Sequence, residues 1–319
     1  MSVYIRRIAL LAMTALLAAC TGVLLTAANV PAMFAHVRRT ANVAFGPGAS
    51  DQLDIYQPSK PSHEPLPVII FWHGGGWVDG KKGLYRFVGA ALAQLGYVTI
   101  LPNYRVYPEV RFPAFLDDAA RAVLWVQQHA GDYGGDAHRI VLMGHSAGAH
   151  MAAMLAVNHS YLQRAGANIH DIIGLIGLSG PYGLKPNTQL LNTIFSAPYS
   201  PNDWQVLPYV TSSAPPALLV HGEADDLVWP GNTTDMANAL RAHGVQVETR
   251  IYPGKSHADT VAALSVPARG RAPVLGDVAA FMQQLSSATV AHPVTSIDTP
   301  AARRGRQSGL EAAAHPASH

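Results

Sequence analysis

The chain of 319 residues is 49% apolar and 13% charged, with a formal net charge of +2. That length accommodates one large α/β domain without requiring two, and the charge balance supplies no basic stripe to hold nucleic acid. The one cysteine, Cys20, excludes an internal disulfide framework and any cysteine-rich metal site.

The chain opens on a segment with the features of an export signal. Arg6 and Arg7 form a positive n-region, and Ile8 to Ala19 is an apolar core of suitable length. Leu17-Ala18-Ala19-Cys20 is similar to the lipobox of bacterial lipoproteins, a resemblance that implies lipidation of Cys20. Ile8 to Val37 contains no Asp, Glu, Lys or Arg, so an uncleaved helical membrane anchor is the rival reading and simple secretion a third. All three set the body in the cell envelope or beyond it if Arg6 and Arg7 stay inside. Residues 1–37 are therefore expected to be leader or anchor, and 38–287 the folded body. Residues 288–319, rich in Ala, Pro, Ser, His and Arg, are expected to form a disordered tail.

Within the body, Gln52–Tyr56 belongs to a leading strand pair. Strands are then predicted at Val68–Trp72, Val98–Leu101, Ile140–Met143, Ile172–Leu178, Ala217–Val220 and Val247–Tyr252. Helices are predicted between them at Leu84–Leu95, Ala114–His129, Ala147–Val157, Asn232–Ala242 and Gly276–Leu285. Most strands are near-continuously apolar, as in sheets covered on both faces. The alternation indicates an α/β fold: a mainly parallel central sheet, helices on both faces, and ligands meeting the carboxyl ends of the strands. Gly183 to Ser213 is long for a connection and is a candidate small lid.

Four of the connecting loops carry chemistry. His73-Gly74-Gly75-Gly76-Trp77 follows an early strand, and its glycines let amide groups converge without side chains in the way. It lacks the Lys-Ser/Thr of a phosphate cradle. Gly144-His145-Ser146-Ala147-Gly148 has the form of a nucleophile elbow, with the Ala147 amide placed directly after the serine as an oxyanion donor. Glu223, Asp225 and Asp226 follow the next strand but one. A carboxylate there can orient a histidine; the spacing favours Asp225 and leaves Asp226 and Glu223 as alternatives. His257 follows the last strand, where the base belongs. His243 reads as a helix-end residue, and His145 and His150 as locally packed or hydrogen-bonded. Trp77, Tyr104, Tyr107 and Tyr182 are candidate cleft-lining residues. Arg105, Asp118 and Arg121 read as structural ion pairs.

The His73–Trp77 and Gly144–His150 motifs, with Asn103-Tyr104-Arg105, Phe112-Pro113-Ala114, Asp118 and Leu53-Asp54-Ile55-Tyr56, resemble the hormone-sensitive-lipase-like and kynurenine-formamidase-like esterases of the α/β-hydrolase superfamily. The matches run from Leu53 to His257. The resemblance implies an α/β-hydrolase fold, a Ser146–His257–Asp225 triad and oxyanion donors from Gly75, Gly76 and Ala147, with Gly74 serving the turn. It implies a carboxylesterase of short-chain or small aromatic esters that needs no cofactor or metal. Its partners would be a small-molecule ester and a membrane, reached through the N-terminal lipid or helix; the sequence carries no signal for an oligomeric state. The same machinery also cleaves arylformamides or peptides, though an exported formamidase fits poorly. A non-catalytic binding protein on this fold would have lost one of the three motifs, and a true lipase would carry a more apolar lid.

Overall fold

The apolar runs become the middle of an eight-stranded sheet in a computed structural model, which describes residues 25–291. In chain order the strands are β1 (Val37–Ala44), β2 (Gln52–Pro58), β3 (Leu66–Trp72), β4 (Val98–Pro102), β5 (Gly135–His145), β6 (Ile172–Leu178), β7 (Ala217–Gly222) and β8 (Val247–Tyr252). Their order across the sheet is β1-β2-β4-β3-β5-β6-β7-β8. The β1–β2 and β2–β4 pairs are antiparallel and the rest parallel. Register aligns Trp72 with Gly144, His145 with Leu178 and Gly222 with Tyr252, so the loops that leave β3, β5, β7 and β8 emerge along one edge.

The helices are α1 (residues 25–32), α2 (Arg86–Gln94), α3 (Ala114–His129), α4 (Ala147–Val157), α5 (Ser160–Ala165), α6 (Gln189–Ile194), α7 (Pro201–Trp204), α8 (Gly231–Ala242), α9 (Asp259–Ala262) and α10 (Val274–Ala291). Alternate side chains of a strand point to opposite faces. Val68, Ile70 and Trp72 accordingly join a core with Phe115, Met151 and Leu240, whereas Ile69 and Phe71 join one with Phe87, Leu92 and Phe281. Every residue of α4 is buried, which explains a helix without a polar stripe.

Three boundaries differ from expectation. β5 starts five residues before Ile140, because Asp136–Arg139 are polar and carry no strand periodicity. α10 runs on to Ala291, past the expected tail boundary, through a stretch with alanines that favour helix. Residues 292–319, like Arg6, Arg7 and Cys20, lie outside the described residues. The third difference is at the start. Residues expected to belong to the leader pack on the body, with Leu25 and Ala28 buried. The Asn29 side chain donates to the carbonyls of Gly83 and Leu84 at 3.0 and 3.1 Å and accepts from the Phe87 amide at 3.1 Å, satisfying a donor at the start of α2. Among the described residues no helix is long and apolar enough to cross a membrane.

Two buried carboxylates tie the layers together. Asp54 on β2 is reached by Lys82 at 2.6 Å and Arg39 at 2.7 Å. Burial pushes the Asp54 pKa up, but hydrogen bonds from Lys82 and Arg39 more than offset it and hold the carboxyl below its usual range. Asp118 on α3 pairs with Arg105 at 2.6 Å and Arg121 at 2.8 Å, and Arg121 also reaches Asp51 at 3.0 Å. Removing one partner of a buried pair strands the other charge. Asp54→Ala, which leaves the Lys82 ammonium 8% exposed and without its carboxylate, is expected to lower the unfolding free energy by about 3–5 kcal/mol, read as a lower urea midpoint at unchanged slope.

Candidate active site

Ser146 stands between the end of β5 and the start of α4 with φ 55° and ψ −121°. That conformation costs of order 1–3 kcal/mol for a residue with a side chain, so its surroundings must impose it. They do so through backbone contact. A Cβ on Gly148 would lie 2.1 Å from the Trp72 carbonyl oxygen, and one on Gly144 would lie 2.2 Å from the Gly148 carbonyl. Only glycine lets strand and helix approach this closely. The Ser146 amide donates to Leu178 O at 2.9 Å, fastening the turn to β6.

The glycine turn after β3 lies against the serine. A Cβ on Gly74 would come within 3.1 Å of Ser146 Cβ, and Gly75 and Gly76 have φ of 129° and 60°. The Gly75 carbonyl accepts from the Val78 and Asp79 amides at 3.1 and 3.0 Å, closing the turn. His73 holds it from beneath: Nδ1 donates to Gly74 O at 2.8 Å, and the ring stacks on Tyr104 at 4.4 Å. The Tyr104 hydroxyl donates to His73 O at 2.9 Å. Ala147 is the first residue of α4, so its amide has no acceptor within the helix and sits at the positive end of the dipole. Three amides, of Gly75, Gly76 and Ala147, thus belong to turns that meet at one place.

Of the three candidate carboxylates, Asp225 is the one on His257. His257 Nδ1 donates to Asp225 Oδ2 at 2.7 Å, while Oδ1 accepts from the Leu227 and Val228 amides at 3.0 and 2.8 Å. Burial pushes the Asp225 carboxyl up, yet hydrogen bonds from His221 and His257 outweigh it and hold the group well below the usual carboxylate range. Asp226 and Glu223 are exposed, and Glu223 accepts from the Gly254 amide at 3.1 Å. The β7 and β8 loops approach closely because Gly222 permits it; a Cβ there would meet Lys255 O at 2.2 Å.

Several expectations are corrected. His145 and His150 do not bond locally. His145 Nε2 donates to His257 O at 3.1 Å across 112 residues, with the two rings 4.8 Å apart, and His150 Nε2 donates to Trp204 O at 2.7 Å. Trp77, Tyr104 and Tyr182 are core residues rather than cleft walls, exposed by only 3%, 4% and 0%. The candidate small lid from Gly183 to Ser213 is packed onto the body: Phe195, Trp204, Val206 and Val210 are built into the core that also holds Trp77. His73 and His221 were not singled out for the site. Their position directly after an apolar run, each just before a glycine, was the available signal.

A serine at a strained strand-to-helix turn, a glycine turn beside it and a carboxylate–histidine pair on later strands define an α/β-hydrolase of the hormone-sensitive-lipase-like esterase group. Within that group the chain belongs to the BD-FAE family, whose model matches residues 53–240. It is 31% identical over 257 residues to the isoprenylcysteine alpha-carbonyl methylesterase ICME of Arabidopsis thaliana, covering 74% of this chain and 59% of that protein. The chain spans about three fifths of the length of the curated relatives it matches. Its fold is shared with esterase B from Lactobacillus rhamnosis (TM-score 0.71, 19% identity, 80% of this chain and 89% of the other). It is also shared with a truncated carbohydrate esterase from gut microbiota (TM-score 0.68, 21% identity, 78% and 96%).

Burial lowers the pKa of His73 to about 4, His145 to about 3 and His150 to about 4, from an ordinary 6.5. For His145 the neighbouring His257 adds to the effect. Below pH 6.5 the unfolded chain binds protons that these folded rings refuse, so stability falls as pH drops toward the folded values. Urea melts between pH 7 and pH 4.5 are expected to show a loss approaching roughly 1.4 kcal/mol per histidine per pH unit. His73→Phe should flatten that slope.

Proposed function

We propose that this protein is a serine carboxylesterase of short-chain or small aromatic esters, working through an acyl-enzyme on Ser146. The observation that carries the reading is the 2.7 Å contact from His257 Nδ1 to Asp225 Oδ2, made at the sheet edge where the Ser146 turn also lies. A hydroxyl is a weak nucleophile at neutral pH and needs a base. With Nδ1–H committed to Asp225, the Nε2 lone pair takes the Ser146 Oγ proton as Oγ adds to the ester carbonyl. The carbonyl oxygen becomes an oxyanion received by the amides of Gly75, Gly76 and Ala147. The alcohol departs with the proton from Nε2. Water, deprotonated by the same nitrogen, then adds to the acyl group, and the acid leaves as Ser146 regains its proton. The relatives named methylesterase and esterase support an ester over an amide.

Aromatic packing supports a small acyl group. Trp77 follows Gly76, and its ring meets His150 edge-on at 5.3 Å and Phe195 edge-on at 4.8 Å. His150 lies one turn beyond Ser146 on α4, and Phe195 continues to Phe112 and Trp204 at 5.6 and 5.8 Å. These buried rings fill the space behind the glycine turn and the nucleophile helix, leaving no depth there for a long acyl chain. The full chain in mild detergent should hydrolyse p-nitrophenyl acetate to butyrate fastest and palmitate slowest. Ser146→Ala should lower kcat by roughly 10⁴-fold or more, and Phe195→Ala should raise the octanoate-to-acetate ratio about tenfold, as opened depth takes up methylenes. Equal rates in wild type and Ser146→Ala would overturn the reading.

For its setting we propose export and attachment to a membrane through Cys20 or the apolar stretch around it. The support is the uncharged run Ile8 to Val37 behind Arg6 and Arg7, within which Met33 and Phe34 are exposed. Labelled palmitate should enter the wild type and not Cys20→Ser; label in neither, with the protein still in the membrane fraction, would favour the helical anchor.

A further inference from the structure

His221, the penultimate residue of β7, is fully buried, and its ring faces the same carboxylate that holds His257. Nε2 hydrogen-bonds Val228 O at 2.9 Å and lies 3.0 Å from Asp225 Oδ2. Two oxygens at one nitrogen require that nitrogen to carry the hydrogen, shared in a three-centre arrangement. On the ring's other side Nδ1 is 2.8 Å from the hydroxyl of Thr233, itself fully buried on α8. With Nε2 protonated, the neutral ring presents a lone pair at Nδ1, and the Thr233 hydroxyl donates to it. The chain Thr233–His221–Asp225–His257 therefore runs from α8 through β7 and the acid loop to the β8 loop.

We propose that His221 is a positioning residue for the Asp225–His257 pair. Its N–H braces the carboxylate and the Val228 carbonyl together, so that Oδ2 points at His257 and its negative charge is partly satisfied by a hydrogen bond. This rests on the triad reading given above. The brace has two consequences. First, Oδ2 is held from two directions, by His221 at 3.0 Å and His257 at 2.7 Å, while Oδ1 is held by the Leu227 and Val228 amides; the carboxylate has no freedom to turn away. Second, a carboxylate that shares its charge with a second donor attracts the His257 imidazolium less strongly than a lone partner would, so loss of His221 is expected to be felt in the pH dependence of the rate. The titratable groups that face this pair are His221 and His145, the latter with its ring 4.8 Å from that of His257; Glu223 and Asp226, close to Asp225 in the chain, are exposed.

The test uses the full chain with p-nitrophenyl acetate, rates being divided by the burst-titrated concentration of active sites. His221→Phe fills the same volume without the donor, and His221→Gln restores an N–H where Nε2 stands. His221→Phe is expected to lower kcat about tenfold with little change in KM, the loss of one hydrogen bond to a charge. The acidic limb of its pH profile should move up by about half a unit, and His221→Gln should return both toward wild type. Thr233→Val, which removes only the outer partner, should move the limb in the same direction by less, and it stands in if His221→Phe does not fold. A wild-type rate per site and an unmoved acidic limb in the folded variants, whatever their melting temperatures, would reduce His221 to a loop brace and overturn the proposal. Asp225→Asn separates the two levels. If it loses activity while His221→Phe does not, only the positioning role fails. If it keeps wild-type activity, the triad reading itself fails.

Discussion

The approach of α4 to the strands beneath it is the constraint on which the rest of the site depends. Backbone meets backbone at Gly148 and Trp72, and again at Gly144 and Gly148, with no space for a single carbon. The chain leaving β5 must reverse within that space, and Ser146 is left at φ 55°. Its strain is sustained because α4 is buried along its whole length, so relaxing the turn would unseat an entire apolar helix. The same approach sets the first amide of α4 beside the glycine turn of β3.

Around this turn the site solves an electrostatic problem in a medium that solvates charge poorly. One carboxylate is buried, and it is surrounded by donors: two amides and two histidines. Three other histidines are kept neutral by burial and act as struts between loops. His73 holds the glycine turn, His145 holds the carbonyl of His257, and His150 holds the carbonyl of Trp204. His145 and His150 use a ring nitrogen on a carbonyl of a different loop, and His73 on that of the next residue in its own turn. A neutral donor serves that purpose without adding a charge that would compete with the Asp225–His257 pair.

The connection from Gly183 to Ser213 is continuous with this frame. Phe195 and Trp204, from the connection after β6, pack onto Trp77 and Phe112, from the connections after β3 and β4. Aromatic side chains bring large buried area with few rotatable bonds, so a short irregular segment becomes part of the core. The region behind the glycine turn is therefore shaped by residues whose first duty is packing.

Much of this was readable along the chain. Continuous apolar runs marked β3, β4, β6 and β7, and small residues after Ser146 marked a helix that packs closely. Paired glycines at 144 and 148 signalled the elbow, because only a sharp turn against backbone requires glycine at both places. β1 was not readable, since Val37–Ala44 is largely exposed and polar, and neither was the docking of α1, whose apolar residues look the same whether they meet lipid or protein. Local sequence thus determined the elements, their order and the loops that carry chemistry, because those follow from periodicity and backbone sterics. Spacing favoured Asp225 among three neighbouring carboxylates, but its contact with His257, and which histidines brace the loops, was decided by the tertiary structure. Those contacts join residues up to 112 positions apart and exist because strand order and helix packing bring separate loops to one edge of the sheet.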